Sequence, residues 1–332
     1  MTGSLSPGTS AESADRPGRI HAVPVRHPWR WVAVALILVF AAKMVGILVA
    51  NPAFDWSFIG QAMIQSPVIH GLLLGTLVGT FVSMFFAVII GVVVAVMRLS
   101  ENKVLAFVAW AYIWFFRAIP RYVLLFLMGA IGALWPSSAG GLNLGIPFGP
   151  EIMKALGLNG ELTFLHLNAN QLFSSLMGAI IGLALSEGAY MAEIARAGIL
   201  SVDDGQREAA CAMGMSNGLA MRRVVLPQAM RVIVPPTGNE TIAMLKDTTL
   251  MTAIPVGTEM FFQLQQIGAR TFQIFPVTIA AIIWYLIICS ILMYIQMHIE
   301  RYFGRGFGSR APSSGAQGLK ARILGLGGGM SR

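Results

Sequence analysis

Asp203-Asp204-Gly205-Gln206-Arg207-Glu208-Ala209-Ala210-Cys211-Ala212-Met213-Gly214, continued by Met215-Ser216-Asn217-Gly218-Leu219-Ala220-Met221-Arg222-Arg223-Val224-Val225-Leu226-Pro227, is a polar island in an apolar chain. Asp203 or Asp204 can cap a helix entered through Gly205, and Glu208 with the paired alanines favours the helical state. Gly214 ends that helix. A second helix is expected from about Asn217, with Leu219, Val224 and Val225 on one side and Arg222 and Arg223 on another, until Pro227 ends or kinks it. Two short helices at an angle make a protruding elbow.

Outward from the elbow the sequence turns oily. Of the 332 residues 56% are apolar and 11% charged, less than half the charge of a soluble domain at about 25%, and the mean hydropathy is +0.70. This composition belongs to a membrane protein. A span needs about 20 apolar residues, and six candidates occur: Trp31–Ala50, Leu72–Met97, Ala118–Leu134, Leu172–Ala192, Ile242–Phe262 and Pro276–His298. Arg117 and Pro120 break the third region, leaving Val104–Phe116 as an interfacial or tilted aromatic segment. Residues 1–30, rich in Ser, Gly and Pro, read as a disordered cytoplasmic tail, 31–50 as an uncleaved transmembrane anchor, 135–170 as an external loop with a short helix from Glu151 to Gly157, and 304–332 as a flexible basic cytoplasmic tail.

The net charge of +8 follows from topology rather than from a nucleic-acid partner. Seventeen of the 23 Lys and Arg fall on four segments that share one side if the N-terminus is cytoplasmic, and only Lys154 and Arg270 fall on the other. Positive charge concentrates inside, so both termini and the elbow are expected in the cytoplasm. A nucleic-acid stripe would form one cluster.

The order Glu208-Ala209-Ala210, Gly214, Val224 and Leu226-Pro227 resembles the hallmark loop of ABC importer membrane subunits, with Val224 where isoleucine is commonest. Gly188-Ala189-Tyr190-Met191-Ala192-Glu193-Ile194-Ala195-Arg196 before it, and Pro235-Pro236-Thr237-Gly238-Asn239 and Lys246-Asp247-Thr248-Thr249-Leu250 after it, are similar to the polar amino acid (histidine/glutamine-type) branch of that family. The resemblance covers about residues 71–303. It implies an all-α membrane protein of about six transmembrane helices, the type I ABC importer transmembrane-domain fold with one extra N-terminal helix, in a bacterial inner membrane. The implied activity is permeation of polar amino acids, coupled through a cytoplasmic loop, about 196–236, in which Gly205, Glu208, Ala209, Ala210, Gly214, Leu226 and Pro227 meet an ATPase. The implied partners are a pair of ABC ATPase subunits, a second permease subunit, identical or related, an extracytoplasmic solute-binding protein, the amino acid and membrane lipid.

Nothing in the chain reads as an enzyme or as an ATP site. No Gly-x-x-x-x-Gly-Lys-Ser/Thr occurs, so phosphates have no backbone cradle, and ATP with its magnesium falls to the partner ATPase. No metal or catalytic cluster is apparent, and Cys211 and Cys289 are expected as free thiols. Ionisable groups within spans are costly and point to function. Glu187 either lines the path and meets the solute's ammonium group or forms a structural ion pair inside the bundle. Tyr190, at i+3, shares its face and either contacts the same solute or sits at the interface. Asn239, Thr248 and Thr249, with Lys246 and Asp247, form a polar stretch read as gating or coupling architecture more than substrate contact. Glu259, toward the outer end of the fifth span, is assigned no role. An ion-coupled secondary transporter of small polar solutes is the alternative; such folds show internal repeats, and none is evident here.

Overall fold

In a computed structural model the described residues are 28–131, 134, 142–146, 149–157, 163–173, 176–254 and 256–304. The expected tails at 1–27 and 305–332 lie outside them. The chain divides into two units, residues 1–54 and 55–332. The first contains α1 (Pro28–Ala50), an apolar helix long enough to cross a bilayer. Lys43 is its one charge after Arg30.

The second unit opens with α2 (Trp56–Ile64), capped by the Asp55 carboxylate, which accepts from Phe58 N at 3.0 Å. Then α3 (Ser66–Gly71) passes through a π-helical turn, Leu72–Leu77, into α4 (Val78–Arg98), one apolar rod of 33 residues. Asn102 caps α5 (Lys103–Ala118), and α6 (Arg121–Ile131) follows at a 102° bend. Pro120 has no N–H to continue the helical ladder, and Ile119 before it is extended. The break expected beside Arg117 and Pro120 is therefore present.

The segment expected as an external loop contains an antiparallel hairpin of β1 (Leu142–Gly145) and β2 (Thr163–Leu167), with α7 (Gly149–Ala155) between the strands. Gly157 follows α7 at a φ of +68°, as its place after the expected short helix requires. The hairpin lies in a segment read as loop; its alternation, Leu142-Asn143-Leu144 and Leu165-His166-Leu167, runs over only three residues in each strand. After α8 (Ala169–Phe173) comes α9 (Leu176–Leu200), the most enclosed long helix, which packs along α4. Small residues make that contact close: a Cβ on Gly91 would stand 2.4 Å from Met191 Cβ.

The elbow follows as α10 (Asp204–Ala212), α11 (Asn217–Ala220) and a π-helical turn, Met221–Val225, that runs into α12 (Leu226–Asp247). Pro227, expected to end or kink the second elbow helix, does not end it; it stands in the first turn of α12, where a missing N–H is tolerated. Pro235 and Pro236 lie inside α12. The expected fifth span, Ile242–Phe262, is not one helix. Thr248, Thr249 and Thr252 hydroxyls donate to the carbonyls three residues back, at 2.7–2.8 Å, and tighten the chain into a 3-10 turn, Thr248–Ala253. The chain restarts at α13 (Met260–Thr271) and ends in α14 (Ile274–Phe303). Among the described residues, four helices are long and apolar enough to cross a membrane, or five counting the bent α5–α6 pair as one; the segment expected as the fifth span is divided among α12, the 3-10 turn and α13.

Three clusters form the core of the described residues, the smallest joining Val94, Ala109, Ile113 and Ala192 across α4, α5 and α9. One of the two larger ones joins Met84, Leu125, Leu183, Met191, Met244, Met251 and Ile254 across α4, α6, α9 and α12. The other joins Ile59, Val68, Leu72, Leu245, Met260, Leu264, Val277 and Ile288 across α2, α3, α12, α13 and α14. Glu259 stands beside this last cluster, wholly buried. Its Oε2 caps α13 by accepting from Phe262 N at 2.9 Å, while Oε1 accepts from Thr76 Oγ1 at 3.0 Å and Tyr285 OH at 3.1 Å. The sequence placed it where solvent would reach. Instead, its oxygens satisfy three donors from three elements.

Candidate functional site: a coupling elbow and a buried ion cluster

The elbow takes its shape from local bonds. Asp203 Oδ1 accepts from Gly205 N at 2.7 Å and caps α10. A Cβ on Gly205 would stand 2.8 Å from that same oxygen. At the other end Gly214 N donates to Cys211 O at 2.9 Å and Met215 N to Ala210 O at 3.1 Å, a Schellman closure whose pivot is Gly214 at φ +86°. Ser216 Oγ then caps α11 through Leu219 N. Ala210 is buried where α10 packs on the Met221–Val225 turn, and Gln228 Nε2 reaches Gln206 Oε1 at 3.4 Å.

The outer face of the elbow is open. Glu208, Ala209, Leu226 and Pro227 are exposed, and Glu208 makes no side-chain hydrogen bond or ion pair with the described residues. Gly205, Glu208, Ala209 and Gly214 thus lie on one short, capped helix and its turn, with Leu226 and Pro227 at the start of the next. Ala210 is the exception, turned inward as the foot of the elbow.

The buried ion cluster lies where α6, α9 and α12 converge. Arg121, first residue of α6 after the bend, places Nη2 2.6 Å from Glu187 Oε2 and pairs Nη1 with Asp247 Oδ2 at the end of α12. Glu187 has no exposed surface, and its Oε1 has no hydrogen-bond partner. Glu240, on α12, is within electrostatic reach of Glu187. The Tyr190 ring lies under two guanidinium groups, with centroid distances of 4.8 Å to Arg121 Cζ and 5.1 Å to Arg117 Cζ, close enough for cation–π attraction.

Of the residues singled out from sequence, Glu187 and Tyr190 come together here. Asn239 does not: its Oδ1 accepts from Gln296 Nε2 on α14 at 2.9 Å. The Thr248 and Thr249 hydroxyls are spent on their own helix, and from that polar stretch it is Asp247 that joins the cluster. Sequence reading missed Arg121 and Asp247 as the partners of Glu187. A signal was available, because a buried carboxylate between apolar helices demands a counter-charge and Arg121 follows the break at Pro120.

Comparison with known proteins places this architecture. Residues 87–305 match the family described as binding-protein-dependent transport system inner membrane component. The arginine transport system permease protein ArgU of Corynebacterium glutamicum is 40% identical over 307 residues, covering 91% of this chain and 88% of that protein. The glutamine transport system permease protein GlnP of Escherichia coli is 33% identical over 217 residues, 58% of this chain and 96% of the relative. A crystal structure of an amino acid ABC transporter with histidines superposes with a TM-score of 0.53 at 31% identity, covering 71% of this chain and 94% of that one. The match spans α4 to α14, elbow and ion cluster included. The chain therefore belongs to the binding-protein-dependent transport system inner membrane components, and is the multi-pass permease subunit of an ABC importer.

Proposed function

We propose that this subunit forms one half of an amino acid path through a bacterial inner membrane and that Asp203–Pro227 is its contact with a separate ATPase. The observation that carries the proposal is the elbow, capped at both ends, pivoted on Gly214 at φ +86° and exposing Glu208 without a side-chain partner among the described residues. A helix held so firmly by its own bonds transmits displacement instead of absorbing it. ATP and magnesium are bound by the ATPase pair, and an extracytoplasmic solute-binding protein delivers the solute. A second permease subunit, identical or related, completes the path. The excess of Lys and Arg on the elbow's side supports cytoplasmic N- and C-termini.

The solute class is a polar amino acid, as the names of the relatives suggest. Glu187, with Oε1 unpartnered, offers that oxygen to an ammonium group, and Tyr190 forms the adjacent wall. Asn239, Thr248 and Thr249 shape the flanking helices. A secondary transporter is disfavoured by the family match.

The test uses the complete transporter in lipid vesicles with its solute-binding protein. Radiolabelled L-arginine or L-glutamine should accumulate only with ATP and with the elbow intact. Elbow residues that remain freely reactive to a thiol probe in the assembled complex, or uptake that persists with an inactive ATPase and an intact ion gradient, would exclude this reading. Glu187→Gln with unchanged affinity and rate would remove Glu187 from the path.

A further inference from the structure

The 102° break between α5 and α6 sets Arg117 and Arg121 on opposite sides of one bend while both face the Tyr190 ring. Their circumstances differ. Arg121 is committed to Glu187 and Asp247. Arg117 is exposed and has no carboxylate partner among the described residues. It lines a cup of about 480 Å³ with Trp110, Ile113, Trp114, Tyr190 and Glu193, a size within the roughly 300–1,000 Å³ of small-molecule sites.

The chemistry of the cup is not that of a lipid-facing surface. A guanidinium with free N–H groups grips a carboxylate in a planar, two-pronged fashion. Glu193, one turn beyond Tyr190 on α9, is the acid of the same cup, and the Arg196 guanidinium engages only its Oε2, at 2.8 Å and 3.2 Å. Trp110 and Trp114, at i and i+4 on α5, hold their ring planes within 15° of each other at a centroid separation of 6.3 Å. Opposite charges and an aromatic wall in one concavity match a small zwitterion with a side chain of its own.

We infer that this cup is a substrate subsite for an α-amino acid, with the solute carboxylate on Arg117, its ammonium toward Glu193 and its side chain over Trp110 and Trp114. The inference rests on the reading of the chain as an amino acid permease and adds a station beside Glu187. Tyr190 is common to both stations, since Arg121, the other guanidinium over its ring, is the one that holds Glu187.

The experiment uses the permease–ATPase complex purified without the solute-binding protein. Its ligand is whichever of L-arginine and L-glutamine the complete wild-type transporter takes up; uptake of neither means that the proposed solute class has failed, independently of the cup. Equilibrium binding of the radiolabelled amino acid is competed with its own α-amide, which lacks the carboxylate. Wild type should prefer the amino acid to the amide by about tenfold or more, the scale of a charge-assisted hydrogen bond. Arg117→Gln should weaken binding and erase that preference, and Arg117→Lys should restore part of it. Three results overturn the inference: no binding by a wild-type complex that transports in full assembly, an undiminished preference in Arg117→Gln, or failure of both Arg117 variants to assemble with the ATPase, which would assign the cup to subunit contact.

Discussion

Arg121 on α6 and Glu187 on α9, 66 residues apart in sequence, meet through an Nη2–Oε2 contact of 2.6 Å, with Glu187 wholly buried. Removing one member strands the other. Arg121→Met leaves Glu187 as an uncompensated buried charge, a defect of about 3–5 kcal/mol. Arg121→Met combined with Glu187→Gln should recover much of the loss. Thermal unfolding of the detergent-purified complex reads the difference, and a double variant no more stable than Arg121→Met would show that the pair is not coupled.

A second expectation concerns helix contact. Gly75 faces the chain before α13 so closely that a Cβ would stand 1.9 Å from Thr258 O and 2.5 Å from Glu259 Cα. Both are backbone atoms, so neither can swing away. Gly75→Ala should destabilise by at least the roughly 1–3 kcal/mol of overpacking and displace Glu259 from Thr76. Gly60→Ala, in α2 with open space around it, should stabilise by about 0.5–1 kcal/mol. Melting temperatures of the two variants should move in opposite directions.

The pivot of the elbow is conformational rather than steric. Nothing lies within 4 Å of a Cβ placed on Gly214, yet its φ is +86°. Gly214→Ala should therefore strain the turn by about 1–2 kcal/mol, whereas Gly214→Asn, better suited to the left-handed region, should strain it less. Co-purification with the ATPase and ATP-dependent uptake should both rank Gly, then Asn, then Ala. Equal behaviour of the two variants would contradict the turn as the point of coupling.

Asp55 gives a pH dependence of defined sign. Hydrogen bonds from Ser57 Oγ at 2.7 Å and Phe58 N at 3.0 Å hold its carboxyl below the ordinary aspartate value. A depressed carboxyl stabilises the fold above its unfolded value and loses that contribution as pH falls through the folded one. Amide protection at the start of α2, measured by hydrogen exchange corrected for intrinsic rates, should decline in acid below the ordinary aspartate range. In Asp55→Asn the same protection should be insensitive to pH across that window.

What could be read from the sequence was what neighbours in the chain decide. The cap at Asp203, the stop at Gly214 and the break at Pro120 each depend on a few adjacent residues, and all three are present. Of the two outcomes expected at Pro227, an end or a kink, the end does not occur, because a π-helical turn before it runs on into α12. The fifth span was misjudged because hydropathy averages over Thr248, Thr249 and Thr252 without registering their hydroxyls turned back on the helix. Glu259 lies furthest from sequence logic. Its partner Thr76 is 183 residues away, and only the packing of the π-helical turn against α13 brings the two together. The ion cluster was half legible for the same reason: Glu187 announces a cost, but its neutralising partners stand on two other helices.

The elbow closes every one of its turns over six residues or fewer, from Asp203 Oδ1 to Gly205 N and from Met215 N to Ala210 O. Structure that depends on such short-range bonds re-forms within about a microsecond, well ahead of the microsecond-to-millisecond motions of domain closure. In the proposed coupling role, a lever of this kind recoils to the same form between strokes of the motor, so repeated cycling leaves no memory in it.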